Sequence, residues 1–156
     1  MKTNVSTDRG CELWMLLQQA CDSTRRAREN ELRGLGISMM QATILFAIKA
    51  IDGPATPAEI SRWLFRKPHT VSGILERMEK RGLVRQVKDM ERKNMIRVVI
   101  TEKGEESYQR SRELKVIRTI LSGLSPEQQD NLRPYLETLR NKALQELGVR
   151  HQLAFP

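Results

Sequence analysis

The feature that most restricts the fold of this chain is a pair of helices that begins at residue 56. The segment TPAE at 56–59 combines a capping threonine, a proline suited to the first helical position and an acid three residues after the cap. This pattern starts a short helix, which we expect to end near Leu64. Pro68 starts a second helix that runs to about Arg81, where a glycine closes it. Two helices joined by a tight turn predict a helix-turn-helix.

A β-hairpin follows the second helix. Segments 83–87 and 96–100 are apolar and rich in β-branched residues, and the polar segment 88–94 between them lacks helical periodicity. A hairpin directly after a helix-turn-helix is a wing. The sequence therefore predicts a winged helix-turn-helix lobe over residues 38–101.

Helices flank this lobe on both sides. Apolar residues recur at helical spacing from Glu12 to about Arg33, and Ser38 opens a second helix before the lobe. After the wing we expect one long helix over about 102–122 and a last helix from Ser125 to about Gly148. The predicted fold is a single domain over 1–156. It is mainly α with a small β-hairpin, and long helical regions at 8–37 and 102–149 flank the lobe. Trp14 and Trp63 are expected to be core residues.

The positive charge is concentrated in this lobe. The chain of 156 residues has a formal net charge of +8, and residues 62–97 contain eleven lysines or arginines against four acids, a surplus of +7. A localised basic patch is typical of a protein that binds a nucleic acid backbone. No stretch is long and apolar enough for a membrane span, and the start lacks a signal-peptide pattern, so we expect a cytoplasmic protein.

The segment 56–104 resembles the MarR family of bacterial regulators. The most specific pieces are the helix ending LERMEKRGLVRQ, the wing DMERKN and the VVITEKG that leads into the next helix. The resemblance implies a homodimer whose N- and C-terminal helices form the interface. It also implies control of transcription, usually repression, that a small molecule often relieves.

The resemblance also assigns residues to the contact with double-stranded DNA. The second helix of the lobe takes the role of the recognition helix, and the wing arginine, Arg92, enters the minor groove, while Asp89 holds the shape of the wing. Lys67 stands where the family often has a capping residue, so we expect it to contact phosphate. The candidate DNA-binding residues are Arg66, Lys67, His69, Thr70, Ser72, Gly73, Arg77, Arg92, Lys93 and Asn94.

Other functions have weaker support in the sequence. A winged helix can bind protein instead of DNA, and Cys11 or Cys21 could act as a redox-sensing thiol in a regulator. We find no nucleophile–base pair, phosphate-binding glycine loop or metal-ligand spacing, so we expect neither catalysis, metal nor cofactor. The glutamates at 76, 79, 105 and 106 are expected to be solvated helix residues. For Lys80, Arg81 and Arg85, a solvated position and direct DNA contact both remain open.

Overall fold

The computed structural model describes residues 8–88 and 95–149. The helices and strands follow the predicted order, with helices before and after a two-stranded hairpin. This order confirms the predicted fold class. They are α1 Arg9–Gly34, α2 Met39–Ala50, α3 Pro57–Trp63, α4 Pro68–Lys80, β1 Val84–Lys88, β2 Ile96–Ile100, α5 Glu102–Arg112, α6 Lys115–Leu121 and α7 Pro126–Glu146.

Reciprocal capping boxes start three of these helices at the predicted positions. At α3 the Thr56 hydroxyl accepts the backbone N–H of Glu59 at 3.2 Å, and the Glu59 carboxylate accepts the N–H of Thr56 at 3.1 Å. Ser38 and Gln41 form the same pair at α2, as do Ser125 and Gln128 at α7. Each box satisfies amides that have no partner inside the helix, which fixes where these helices begin.

The hydrophobic core lies inside the lobe. The stripe of α4 that packs inward is Val71, Leu75 and Met78, each fully buried, while Ile74 is only partly buried. These side chains meet the central helix α2, whose Ile44 and Leu45 are also fully buried. Trp63 is half-buried at the edge of this core, with its ring centroid 5.8 Å from that of Phe46. The core therefore fixes which face of α4 points outward.

The hairpin is antiparallel, with Val84 opposite Ile100 and Lys88 opposite Ile96. The backbone N–H of Val98 donates to the carbonyl of Ala55 at 2.8 Å, and both residues are buried. This bond ties the base of the wing to the residue before α3. Together with the core, it holds the helix pair and the wing as one unit.

The prediction of a single helix over about 102–122 is wrong. Leu114 has φ 51° and ψ 37°, a left-handed backbone conformation that ends α5 and starts the separate helix α6. The break redirects the chain so that α6 packs against α1. The backbone N–H of Val116 then donates to Glu31 Oε1 at 3.3 Å. A contact with α1, which is distant in sequence, therefore accompanies the break.

The prediction that Trp14 is a core residue is also wrong for the single chain. Trp14 is 56% exposed, and the buried residues of α1 are Arg28 and Leu32, near its other end. The first half of α1 therefore extends beyond the core of its own chain.

Candidate nucleic-acid interface

Hydrogen bonds to Ser61 hold the turn between α3 and α4. The Ser61 hydroxyl donates to the carbonyl of Arg66 at 2.6 Å, and the N–H of Arg66 donates to the carbonyl of Ser61 at 3.0 Å. Phe65, inside this turn, has a left-handed φ of 51°. The turn is therefore closed by its own bonds, and the side chain of Arg66 stays exposed beside the start of α4.

The N-terminus of α4 has no side-chain cap. Lys67 occupies the capping position and makes no cap hydrogen bond, as its side chain has no acceptor, and Pro68 follows at the first helical position. Pro68 has no N–H, and the N–H of Thr70 donates to the carbonyl of Lys67 at 3.0 Å. The N–H of His69 and the positive end of the helix dipole therefore stand beside an exposed ammonium group. This arrangement is suited to an anion such as a phosphate.

Most of the outer face of α4 is open. His69, Thr70 and Arg77 are exposed, while Ser72 and Gly73 are half-buried. A Cβ placed on Gly73 would have no atom of this chain within 4 Å, so no close contact inside the chain requires a glycine at this position. A glycine on this face leaves room for a close approach from outside the chain.

The basic side chains of this face are not neutralised by the chain itself. Within α3 and α4 the described ion pair is Arg62–Glu59 at 4.0 Å. In the part of the chain that the structure describes, Arg66, Lys67, Arg77 and Lys80 are exposed and have no acid partner. On α1, by contrast, Arg25 is bonded to Asp22 and Glu29. Four exposed basic side chains without an acid partner among the described residues therefore lie together on α4 and the turn before it.

The tip of the wing, residues 89–94, lies outside the described residues. The predicted contacts at Arg92, Lys93 and Asn94 and the shaping role of Asp89 fall there, so they stay predictions.

Two glutamates that we expected to be solvated have specific partners. Glu79 is half-buried and accepts the backbone N–H of Gln86 at 2.7 Å and its side-chain amide at 3.1 Å, which joins α4 to β1. Glu105 pairs with Lys49 at 2.7 Å and joins α5 to α2. The hydrogen bond from Lys49, and then that from Gln109, holds the pKa of Glu105 below its ordinary value. Both acids connect elements of the lobe, because folding brings distant partners to them.

No pattern in the sequence marks Arg28 as a residue that connects helices. Its side chain is 9% exposed and lies between Glu31 Oε2 at 2.6 Å and the carbonyl of Ser111 at 2.5 Å. The other oxygen of Glu31 accepts the N–H of Val116. This pair therefore ties α1 to the break between α5 and α6, where the lobe meets the C-terminal helices.

The terminal helices carry a broad exposed apolar surface. None of the residues of α7 is buried. The large exposed apolar residues of these helices, with the residue that caps α7, are Leu13, Trp14, Met15, Leu16, Ile120, Leu121, Tyr135, Leu136, Leu139 and Leu147. An apolar surface of this extent marks a contact with another molecule. Both cysteines, Cys11 and Cys21, are exposed on α1.

The described residues show no alternative site of two other kinds. No group of three His, Cys, Asp or Glu side chains among them is placed to hold a metal ion. No helix in the described ranges has the length and apolar character to cross a membrane.

Comparisons with known proteins agree with this architecture. A model of the MarR family matches residues 35–93. The organohalide-sensing transcriptional regulator RdhR-CbdbA1625, in its 2,4-dichlorophenol-bound form, is 28% identical with a TM-score of 0.83, over 97% of this chain and 92% of its own. Its ligand-free form gives the same values. No curated protein matches the chain with significance.

Two solved DNA complexes are similar in fold. A mutant of MarR from E. coli bound to operator DNA is 18% identical with a TM-score of 0.74, over 82% of this chain and 93% of its own. The S. aureus MepR–DNA complex is 19% identical with a TM-score of 0.72, over 82% of this chain and 94% of its own. The order of its elements and the likeness over nearly its whole length give this chain the fold of the MarR family of winged-helix transcriptional regulators, and its residues 35–93 match the model of that family.

Proposed function

We propose that this chain is a sequence-specific DNA-binding repressor that acts as a homodimer on a near-palindromic operator in the cytoplasm. The observation that carries the proposal is the unpaired basic face of α3 and α4. There Arg66, Lys67 and Arg77 are exposed without an acid partner in the described residues, beside an uncapped helix N-terminus. Such a face gains most from a polyanion, because phosphates both neutralise the charge and release counterions.

In this proposal α4 lies in the major groove. Its buried stripe of Val71, Leu75 and Met78 fixes the rotation of the helix, so His69 and Thr70 near the N-terminus face away from the core. In helix-turn-helix proteins the N-terminal residues of the second helix contact base edges. We assign base contacts to His69 and Thr70 and to the face at Ser72 and Gly73.

The remaining basic residues surround this helix. Arg66 and Lys67, at the turn before α4, contact phosphate and fix the register of the protein on the duplex. Arg77 lies further along α4, within reach of a phosphate or a guanine. Arg92 enters the flanking minor groove, supported by Lys93 and Asn94 at the wing tip, while Asp89 holds the wing in shape.

The dimer forms through α1, α6 and α7. A lone protomer leaves Trp14 56% exposed and Leu139 52% exposed, and α7 has no buried residue. A second copy of the chain would cover this surface and set the two α4 helices a fixed distance apart. Two half-sites whose centres lie about 10 base pairs apart, one turn of DNA, match that arrangement.

A small-molecule effector releases the DNA by changing the distance between the two α4 helices. The regulator RdhR-CbdbA1625, similar over most of its length, has been solved with 2,4-dichlorophenol bound. In this chain the contacts of Arg28 and Glu31 join α1 to the α5–α6 break. An aromatic ligand that shifts α1 against α5 would act on this connection and move the lobe relative to the dimer helices.

The decisive experiment is selection of bound duplexes from a random pool by the purified protein. We expect a near-palindrome, and the affinity for it should fall with salt with a log–log slope of roughly −0.9 per phosphate neutralised. Light scattering should give a dimer. Addition of 2,4-dichlorophenol to the complex is the first test of an effector.

Other outcomes would favour the alternatives. If no duplex is enriched, or if binding is insensitive to salt, the lobe binds protein rather than DNA. A stable monomer would contradict the role of α1, α6 and α7. If peroxide changes DNA binding in the wild type but not in a variant with serine at Cys11 and Cys21, the regulator senses redox state.

A further inference from the structure

Arg81 follows the last residue of α4 and lies in the basic segment 62–97. Its side chain nevertheless forms hydrogen bonds within the protein. Nη1 donates to Gln41 Oε1 at 2.7 Å, and Nη2 donates to the carbonyl of Gly36 at 2.5 Å. Both terminal nitrogens of the guanidinium group are therefore engaged, although the residue as a whole is exposed. Hydrogen bonds from a charged donor are among the stronger ones in proteins.

The acceptor on α2 is itself held in place. Gln41 is 7% exposed, and its side-chain oxygen also accepts the backbone N–H of Ser38 at 3.0 Å in the capping box of α2. Gly36 lies in the connection between α1 and α2. Arg81 is thus anchored to two points where α1, part of the terminal helical region, passes into the lobe.

The backbone at the end of α4 is bonded from the opposite side. The carbonyl of Arg81 accepts Lys103 Nζ at 2.9 Å, and the carbonyl of Gly82 accepts the hydroxyl of Thr101 at 2.5 Å. Both donors belong to the start of α5. The C-terminal end of α4 is consequently held between the α1–α2 connection and α5, while Lys67 at its N-terminus makes no cap.

These bonds set the direction of α4 at its C-terminal end. From residue 68 to residue 81 the helix is about 20 Å long, so a tilt of about 3° at that end would move the N-terminal end by about 1 Å. The exposed residues His69 and Thr70 lie at the end that moves most. A loss of support at Arg81 would therefore displace the atoms proposed to contact bases.

We infer that Arg81 is a positioning residue for DNA recognition, which orients α4 through Gln41 and Gly36 and contributes no phosphate contact of its own. This inference rests on the proposed function and adds to it. It separates Arg81 from its neighbour Lys80, which is exposed, has no acid partner in the described residues and is free to meet a phosphate.

The test compares Arg81→Lys, Arg81→Gln and Lys80→Gln on the duplex that the wild-type protein selects and on a scrambled duplex, across a salt series. Lysine at 81 keeps the charge but lacks the two-pronged donor geometry. Both Arg81 variants should lose roughly ten-fold in affinity for the selected duplex, keep their affinity for the scrambled one, and retain the wild-type salt slope. Lys80→Gln should weaken binding to both duplexes and reduce the magnitude of the log–log salt slope by about 0.9.

Two substitutions at Gln41, the acceptor of the Arg81 hydrogen bond, provide the matched control. Gln41→Glu keeps an acceptor for Arg81 and for the capping box, so it should bind the selected duplex as the wild type does. Gln41→Met removes the acceptor and should lose about as much as Arg81→Lys, and the two losses should not add in the double variant. Thermal unfolding of each variant shows whether it is folded under the binding conditions. A variant that loses affinity because it unfolds would bind both duplexes more weakly.

The outcomes separate the two proposals. A reduced salt slope in Arg81→Gln, or wild-type affinity in Arg81→Lys, overturns the positioning role and leaves the proposed function intact. If the wild type selects no duplex, the proposed function fails and the role of Arg81 fails with it.

Discussion

Gly104 sits where α5 passes closest to the lobe, and replacing it with alanine tests that contact. A Cβ at this position would lie 1.9 Å from the carbonyl oxygen of Leu83 and 2.8 Å from Cγ2 of Ile100. A carbon and an oxygen that are not bonded need about 3.2 Å, so α5 would have to retreat by more than about 1 Å. The nearest atom belongs to the backbone, which cannot rotate out of the way.

The retreat also strains a hydrogen bond. The N–H of Thr101 donates to the same Leu83 oxygen at 3.2 Å, and a further 1 Å would break this bond. Overpacking lowers the free energy of unfolding by about 1–3 kcal/mol, and a lost hydrogen bond lowers it by about 1 kcal/mol. The better helix propensity of alanine raises it by about 1 kcal/mol. We expect Gly104→Ala to lower the free energy of unfolding by about 2 kcal/mol.

Thermal and urea unfolding followed by circular dichroism provide the measurement. For a chain of this size the expected loss corresponds to a fall in Tm of about 4–8 °C. Gly34→Ala is the matched control, since that glycine ends α1 and has no atom within 4 Å of an added Cβ. It should be neutral or stabilising by up to about 1 kcal/mol. A Gly104→Ala protein as stable as the wild type would refute the close packing of α5 on Leu83.

Three further predictions concern the DNA-binding face and the lobe. Gly73→Ala should stabilise the free protein by up to about 1 kcal/mol through helix propensity yet weaken operator binding, and unchanged affinity would place this position away from the bases. Arg92→Ala should cost about 1–3 kcal/mol of operator affinity in a titration, and full retention would remove the wing arginine from the mechanism. Glu105→Gln should lose the ion pair with Lys49, worth less than about 1 kcal/mol at these exposures. Because the pKa of Glu105 is lowered in the fold, its stabilisation is complete above the ordinary value of 4.5 and is lost as the pH falls through the lowered one. Wild type and Glu105→Gln should therefore differ in urea unfolding at pH 7 and converge at acid pH; a difference that persists there would exclude the pair as its source.

The local start and stop signals were sufficient to place most elements. Capping boxes such as Thr56 with Glu59 act within four residues, so the sequence alone located the starts of α2, α3 and α7. The spacing of Val71, Leu75 and Met78 also indicates which face of α4 points inward, since a buried face repeats every three or four residues. The resemblance to the MarR family also rests on local sequence, since the residues that carry it lie within 56–104.

The tertiary structure decided what depends on contacts between distant residues. The break at Leu114 has no proline or glycine to mark it, and it places α6 against α1, where Glu31 accepts the N–H of Val116 across 85 positions of the chain. The partner of Arg81 likewise lies 40 residues away, on Gln41. The sequence shows which side chains are basic, whereas only packing decides whether such a side chain meets a carboxylate, a carbonyl or no group of its own chain.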